Sequence, residues 1–393
     1  MMNKHNKLGM CYMRRIVICI ILFNTIAAAL SAETPHTFSV AKFSPIPVYY
    51  IYPPVKPHGS ADDALMSGRL VEGHYAIASP ASKPWRVAFL FPHIKDPYWI
   101  GCSYGVISEA KRLGIAVDIL LANGYDDTAG QLRNMDEAIT AKYDAIVISP
   151  TSMTANNASI TKARSQGIPV FELANDSSSD DLKMKVTTSL KGMGKDATEW
   201  IINDAKKRGL KAINIALLPG PVDAGWVKGE VDGTREAARN ASIKVNIVDI
   251  KYGDSGRVKQ SQLATQLLTE HGKKLDYILG CTGCAPAVIL PLKQAGLNTK
   301  VRVVAYDLTR EIAGLIHKGE IVAAVDTKAV SQARVTTNAV VNFLEGRTKE
   351  LPNTILIKLG LVDSSNYATY PFDTSTAPED YPPVISYTPK KIK

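Results

Sequence analysis

The chain has 393 residues, 46% of them hydrophobic and 21% charged, with a formal net charge of +9. Four of the basic residues stand in the first 32 positions, where no acidic residue stands, so the remainder carries only +5. No Lys/Arg-rich helix or basic stripe interleaved with aromatics follows, and nucleic-acid binding lacks its electrostatic footprint.

Lys4, Lys7, Arg14 and Arg15 precede the apolar run Ile16–Phe23, which continues through Ala27-Ala28-Ala29-Leu30. Small residues at Ala29-Leu30-Ser31-Ala32 offer a cleavage site, so residues 1–32 read as a secretory signal. No later segment reaches about 18 uninterrupted apolar residues, so the mature chain is expected to be periplasmic, with no direct membrane insertion. Residues 33–84, rich in Pro, Tyr, Ser and His with weak periodicity, read as an extended N-terminal arm.

From Trp85 the pattern becomes strand–helix alternation. Strands are expected at 86–91, 115–121, 144–149 and 168–173, separated by helices near 100–113, 128–141 and 154–166. The rhythm restarts after Asn175-Asp176, with helices near 190–208, 226–240, 256–271, 284–296 and 309–318. The strands among them are 212–218, 244–250, 275–280, 301–305 and 321–325. A helix at 328–345 and the strand-like run 354–359 close the series.

Two successive βαβ sets exceed one ordinary core, which predicts an α/β protein of two doubly wound parallel-sheet lobes. The expected division is 85–174 with 328–348 for lobe 1 and 175–327 with 353–362 for lobe 2. Residues 363–393 form a C-terminal tail that is either strapped to the surface or loose. Loops at the carboxyl ends of the strands would face each other across a hinged cleft.

The loop after the first strand of lobe 1 carries Asp96, Tyr98 and Trp99, a carboxylate and two aromatics at a strand-to-helix junction. Aromatic faces take sugar rings or cationic alkylamine groups, and a carboxylate adds an acceptor or counter-charge. The alternative is that Tyr98 and Trp99 only pack the first helix on its sheet. Trp226, beside Gly225 and before Lys228-Gly229, either lines the cleft or seals a lobe. Asn175 and Asp326-Thr327-Lys328 fall at the expected lobe crossings, as hinge or contact residues.

Cys11 and Cys19 lie in the signal; Cys102, Cys281 and Cys284 remain. The Cys281-Thr282-Gly283-Cys284 pair is either a small disulfide or two free thiols, since no second pair completes a metal site and no thioredoxin-like unit surrounds it. Gly-x-Ser-x-Gly, His-Glu-x-x-His and phosphate-loop motifs are missing, so no catalytic residue, metal or cofactor is expected. A thiol enzyme built on Cys102 or on the cysteine pair is the competing class.

Several motifs together carry a family resemblance: Phe91-Pro92-His93-Ile94-Lys95-Asp96-Pro97-Tyr98-Trp99, Tyr104-Gly105-Val106-Ile107-Ser108-Glu109-Ala110, Leu218-Pro219-Gly220-Pro221 with Ala224-Gly225-Trp226, and Leu275-Asp276-Tyr277-Ile278-Leu279-Gly280. Over roughly residues 80–350 the chain resembles type I periplasmic binding proteins of the ribose-binding class, and within it the branch that detects trimethylamine N-oxide. The resemblance implies a two-lobed binder that closes on a small molecule. Its partner would be the periplasmic domain of a membrane sensor histidine kinase, with delivery to an ABC permease as the alternative. It implies ligand contacts at Asp96, Tyr98, Trp99 and Asn175, and at Tyr306 and Asp307 after the strand 301–305. The N-oxide binders also carry a box Trp near the start of the first helix of lobe 2. Leu190-Lys191-Gly192-Met193-Gly194 holds no aromatic there, leaving Trp226 or Tyr125 to complete a box.

Overall fold

In the computed structural model, residues 45–52, 69–347 and 353–390 are described. The signal assigned to 1–32 lies outside them. Among the described residues no helix is long and apolar enough to cross a membrane.

Lobe 1 is built on β3 (Arg86–Phe91), β4 (Ala116–Leu121), β5 (Ala145–Ile148), β6 (Val170–Leu173) and β7 (Met184–Thr187). The helices between them are α1 (Pro97–Leu113), α2 (Thr128–Thr140) and α3 (Asn157–Ser165). The parallel order β4-β3-β5-β6-β7 is that of a doubly wound sheet. Its central strands are fully buried, β5 wholly apolar and β6 apolar except for Glu172, as a sheet covered on both faces favours.

Lobe 2 repeats the plan with β8 (Ala212–Gly220), β9 (Lys244–Tyr252), β10 (Tyr277–Gly280), β11 (Arg302–Ala305) and β12 (Ala323–Asp326), in the order β9-β8-β10-β11-β12. Its helices are α4 (Leu190–Lys207), α5 (Gly225–Arg239), α6 (Arg257–His271), α7 (Cys284–Gln294) and α8 (Arg310–His317). The next helix, α9 (Ala329–Leu344), returns to lobe 1 and packs on α1, where Asn338 Nδ2 donates to Glu109 Oε2 at 2.7 Å.

Three expectations need correction. Residues 33–84 are not simply an extended arm, because β1 (Ile46–Tyr52) and β2 (Arg69–Tyr75) pair antiparallel. They join the lobe 1 sheet through β13 (Thr354–Ile357). The crossing expected at Asn175 falls later, after β7, which adds a fifth parallel strand to lobe 1. β7 was hidden because Lys185 interrupts its apolar run, and its charge is matched only in three dimensions. The segment 353–362, assigned to lobe 2, is split: β13 pairs with β7 in lobe 1, and β14 (Gly360–Asp363) pairs with β12 in lobe 2.

The tail is a strap. Tyr370 and Ser375 donate to Asp326 Oδ2 at 2.8 and 2.6 Å, and β15 (Ser386–Tyr387) ends on β4. The chain therefore passes between the lobes at 188–189, 327–328, 358–359 and through the strap.

Candidate functional site

Pro92 ends β3, and Asp96 starts α1 as its cap, with extended backbone and Oδ1 accepting from Trp99 N at 3.2 Å. Pro97 follows at the first helical position, where its missing N–H costs nothing. The cap throws Tyr98 and Trp99 onto the first turn, at the carboxyl edge of the sheet. Trp99 is 1% exposed and lies 4.8 Å from the Phe91 ring centroid and 5.1 Å from that of Tyr98. It serves both readings at once, packing α1 onto β3 and lining a cavity.

That cavity lies between the lobes, with an empty volume of about 510 Å³ that includes its mouth. Lobe 1 contributes Asp96, Tyr98, Trp99, Tyr125 and Asn175; lobe 2 contributes Leu190, Met193, Trp226, Glu230 and Asp307. Thr188 and Thr327 line it from the crossings, and Gln332 from α9. Ser255 and Thr282 complete the lobe 2 rim from the loops after β9 and β10.

Tyr125, in the loop after β4, sets its ring 5.8 Å from that of Trp226, and the two bridge the lobes edge to face. Asn175 donates from Nδ2 to Tyr125 Oη at 3.1 Å and to Pro150 O at 3.0 Å, so it orients that ring from within lobe 1. Trp226 sits on the first turn of α5 with its ring over Gly220, at φ +113°, where a Cβ would meet the ring at 2.5 Å. Only glycine allows both that backbone and that approach.

Asp307 is held firmly. Oδ1 accepts from Leu308 N at 2.7 Å and Thr327 N at 2.9 Å, and Oδ2 from Thr327 Oγ1 at 2.7 Å. It does not cap α8; Thr309 does, accepting from Ile312 N. Tyr306 is a correction. Its side chain is buried in the lobe 2 core, with Oη 3.0 Å from Thr234 Oγ1, and it does not line the cavity. The chain bends at 306–307, directly after β11, and there Asp307 lines the cavity while Tyr306 joins the core.

Cys281 and Cys284 form a disulfide at the β10–α7 turn, while Cys102 is a buried free thiol. Burial drives the Cys102 thiol well above its ordinary range, the reverse of what a nucleophile needs.

Sequence reasoning missed Glu230 and Gln332. Glu230 stands one helical turn beyond Trp226, a spacing that could have placed both on one face. α4 and α5 approach so closely that a Cβ at Gly194 would lie 2.0 Å from Glu230 O, which fixes the helix carrying both residues.

The lining holds three carboxyls, Asp96, Glu230 and Asp307, and no Lys, Arg or His. Burial pushes all three up, and the Asp326 charge adds to the effect at Asp307, which rises from 3.8 to about 7. Between about pH 4 and 7 the folded chain then binds more protons than the unfolded one, and stability falls as pH rises through that window. Asp307→Asn is expected to melt several degrees above the parent at pH 8, with the gap closing toward pH 5. A gap that does not change with pH would sink this account.

A periplasmic binding protein domain model matches residues 87–348. Periplasmic protein TorT of Escherichia coli K12 is 28% identical over 268 residues, covering 68% of this chain and 75% of that protein. The D-allose-binding periplasmic protein of the same strain is 27% identical, over 61% and 78%. Among solved structures, an ABC transporter solute binding protein from Bradyrhizobium sp. BTAi1 with bound bis-tris is 31% identical with a TM-score of 0.72, covering 88% of this chain and 99% of that one. A TorS sensor domain–TorT complex shares the fold at 23% identity and a TM-score of 0.66, covering 77% and 99%.

The chain belongs to the periplasmic binding protein domain family, whose members here are binding proteins of the periplasm. Within that family it is a TorT-like type I protein of the ribose-binding class.

Proposed function

We propose that this chain is exported by the segment 1–32 and closes its lobes on trimethylamine N-oxide or a related small polar or cationic molecule. The closed shape is then read by the periplasmic domain of a membrane sensor histidine kinase. The observation that carries this reading is a cavity built by both lobes, with four aromatic rings and three carboxyls and no cationic side chain in its lining. Ring faces attract alkylammonium groups without hydrogen bonds, and the carboxyls supply counter-charge. Asp96, Tyr98, Trp99, Asn175, Trp226 and Asp307 are the proposed contacts. A ligand touching both lobes favours the closed form only as far as it binds that form better, so signalling here is a population shift, with no chemistry.

The likeness to TorT, which occurs in complex with the TorS sensor domain, supports the sensory role. The relative bound to bis-tris, a hydroxylated amine, supports the ligand class. That same relative is a solute binding protein of an ABC transporter, which favours delivery to a permease as the second reading.

A thermal-shift screen of residues 33–393 tests the ligand class with trimethylamine N-oxide, betaine, choline, pentoses and hexoses. A ligand at about 100 times its Kd stabilises the native state by about 2.7 kcal/mol, a rise of several degrees. A rise with methylated amines is the expected result. A rise with sugars alone would move the chain to the transport reading, and no rise with any compound would overturn the binding site assigned here.

A further inference from the structure

Glu230 and Gln332 are each 1% exposed and line the cavity, one from each lobe. Glu230 Oε2 and Gln332 Oε1, both acceptors, and Trp226 Nε1, a donor, are buried and find no protein hydrogen-bond partner. Gln332 spends its amide on Thr327 O at 2.8 Å and Tyr98 Oη at 3.4 Å, which leaves the carbonyl free. Asp307 is satisfied by three donors, and Asp96 Oδ1 is taken by Trp99 N. The unmet capacity at these two positions is therefore for acceptance, and it belongs to a carboxyl and an amide with no cationic side chain beside them in the lining.

We infer that the occupant of this cleft is a small protonated amine bearing hydroxyl donors, with its ammonium N–H on Glu230 and a hydroxyl on Gln332. The inference rests on the reading of the cleft as a binding site and narrows it. A buried acceptor left unpaired is costly, and a charge-assisted N–H bond to a carboxylate is among the strongest remedies. An N-oxide brings an acceptor oxygen that suits Trp226 Nε1 but no donor for Glu230 or Gln332. A quaternary ammonium brings charge without N–H. A sugar brings donors without charge. Only a hydroxylated ammonium matches both groups while offering methylenes to the rings of Tyr98, Trp99, Tyr125 and Trp226.

The charge state of Glu230 gives the inference its own signature. The titratable groups that act on it are Asp307 and Tyr306; Asp96, Tyr98 and Tyr125 share the cavity lining with it, and His93 stands behind Asp96, 3.8 Å from its Oδ2. Burial, reinforced by the Asp307 charge, holds the Glu230 carboxyl well above its ordinary range. An arriving ammonium stabilises the carboxylate, and the carboxyl proton passes to solvent. Binding should release up to one proton per ligand, and a neutral ligand should release none.

The test compares diethanolamine, choline, trimethylamine N-oxide and D-ribose on residues 33–393, by calorimetry in phosphate at pH 7 and by pH-stat proton counting in unbuffered salt. Diethanolamine is expected to bind at least about tenfold tighter than the other three and to release protons. Glu230→Gln should lose about tenfold or more for diethanolamine and most of the proton release, with its melting temperature equal to the parent's or higher. Glu230→Asp, which keeps the charge but withdraws it by one methylene, should fall between them.

Equal affinity of diethanolamine for the parent and the Gln variant would overturn the assignment, as would choline, the N-oxide or ribose binding as tightly as the amine. Silence toward all four also overturns it, yet a response to hexoses in the thermal-shift screen would leave the binding site standing. Silence in both experiments removes both.

Discussion

Trp99→Ala is expected to cost about 3–5 kcal/mol of stability and, measured below the new melting point, about 2 kcal/mol or more of ligand affinity. The stability loss follows from its burial against Phe91 and Tyr98, where a truncated indole leaves a cavity between α1 and β3 that the sheet cannot close. The affinity loss follows from the other face of the same ring, which lines the interlobe cavity. Urea unfolding and calorimetry separate the two. Reduced stability with unchanged affinity would return Trp99 to packing alone and remove it from the proposed contacts.

Lys185→Met should destabilise the protein by about 3–5 kcal/mol at pH 7.5, because it strips the buried cation that faces Glu172 and Asp176. Lys185 Nζ lies 3.2 Å from Glu172 Oε1 and 3.0 Å from Asp176 Oδ1, and all three residues are fully buried. Burial already raises the Glu172 carboxyl to about 8 with the lysine present. Without it, the folded state would hold a proton on Glu172 more firmly still, one that the unfolded chain releases. The deficit should therefore shrink as pH falls toward 4.5. Parent-like stability of Lys185→Met at pH 7.5 would show that the cluster contributes nothing net. The cluster also matters to closure, since Asp176 O lies 3.0 Å from where a Cβ on Gly225 would sit, at the start of the lobe 2 helix that carries Trp226 and Glu230.

The alternation of apolar runs with amphipathic segments was enough to determine two doubly wound lobes. Each buried parallel strand needs a continuous apolar run, and each covering helix needs its own period. The first loop was legible for the same local reason, because a proline-terminated strand, a capping Asp and two aromatics on the next turn fix their own placement. Which of Tyr306 and Asp307 faces the cleft was not legible locally, because the chain bends there once β11 has ended at Ala305. Position along the chain could not say which lobe a short strand joins. β7 is polar at Lys185 until Glu172 and Asp176 meet it, and β13 and β14 are separated only by which sheet edge accepts each. Nor could it reveal the acceptor-rich character of the cavity. Glu230 and Gln332 lie 102 positions apart, on helices of different lobes, and each reads alone as an ordinary helical surface residue. Folding buries them together and away from any cation, and that juxtaposition, absent from any local segment, sets the chemistry of the site.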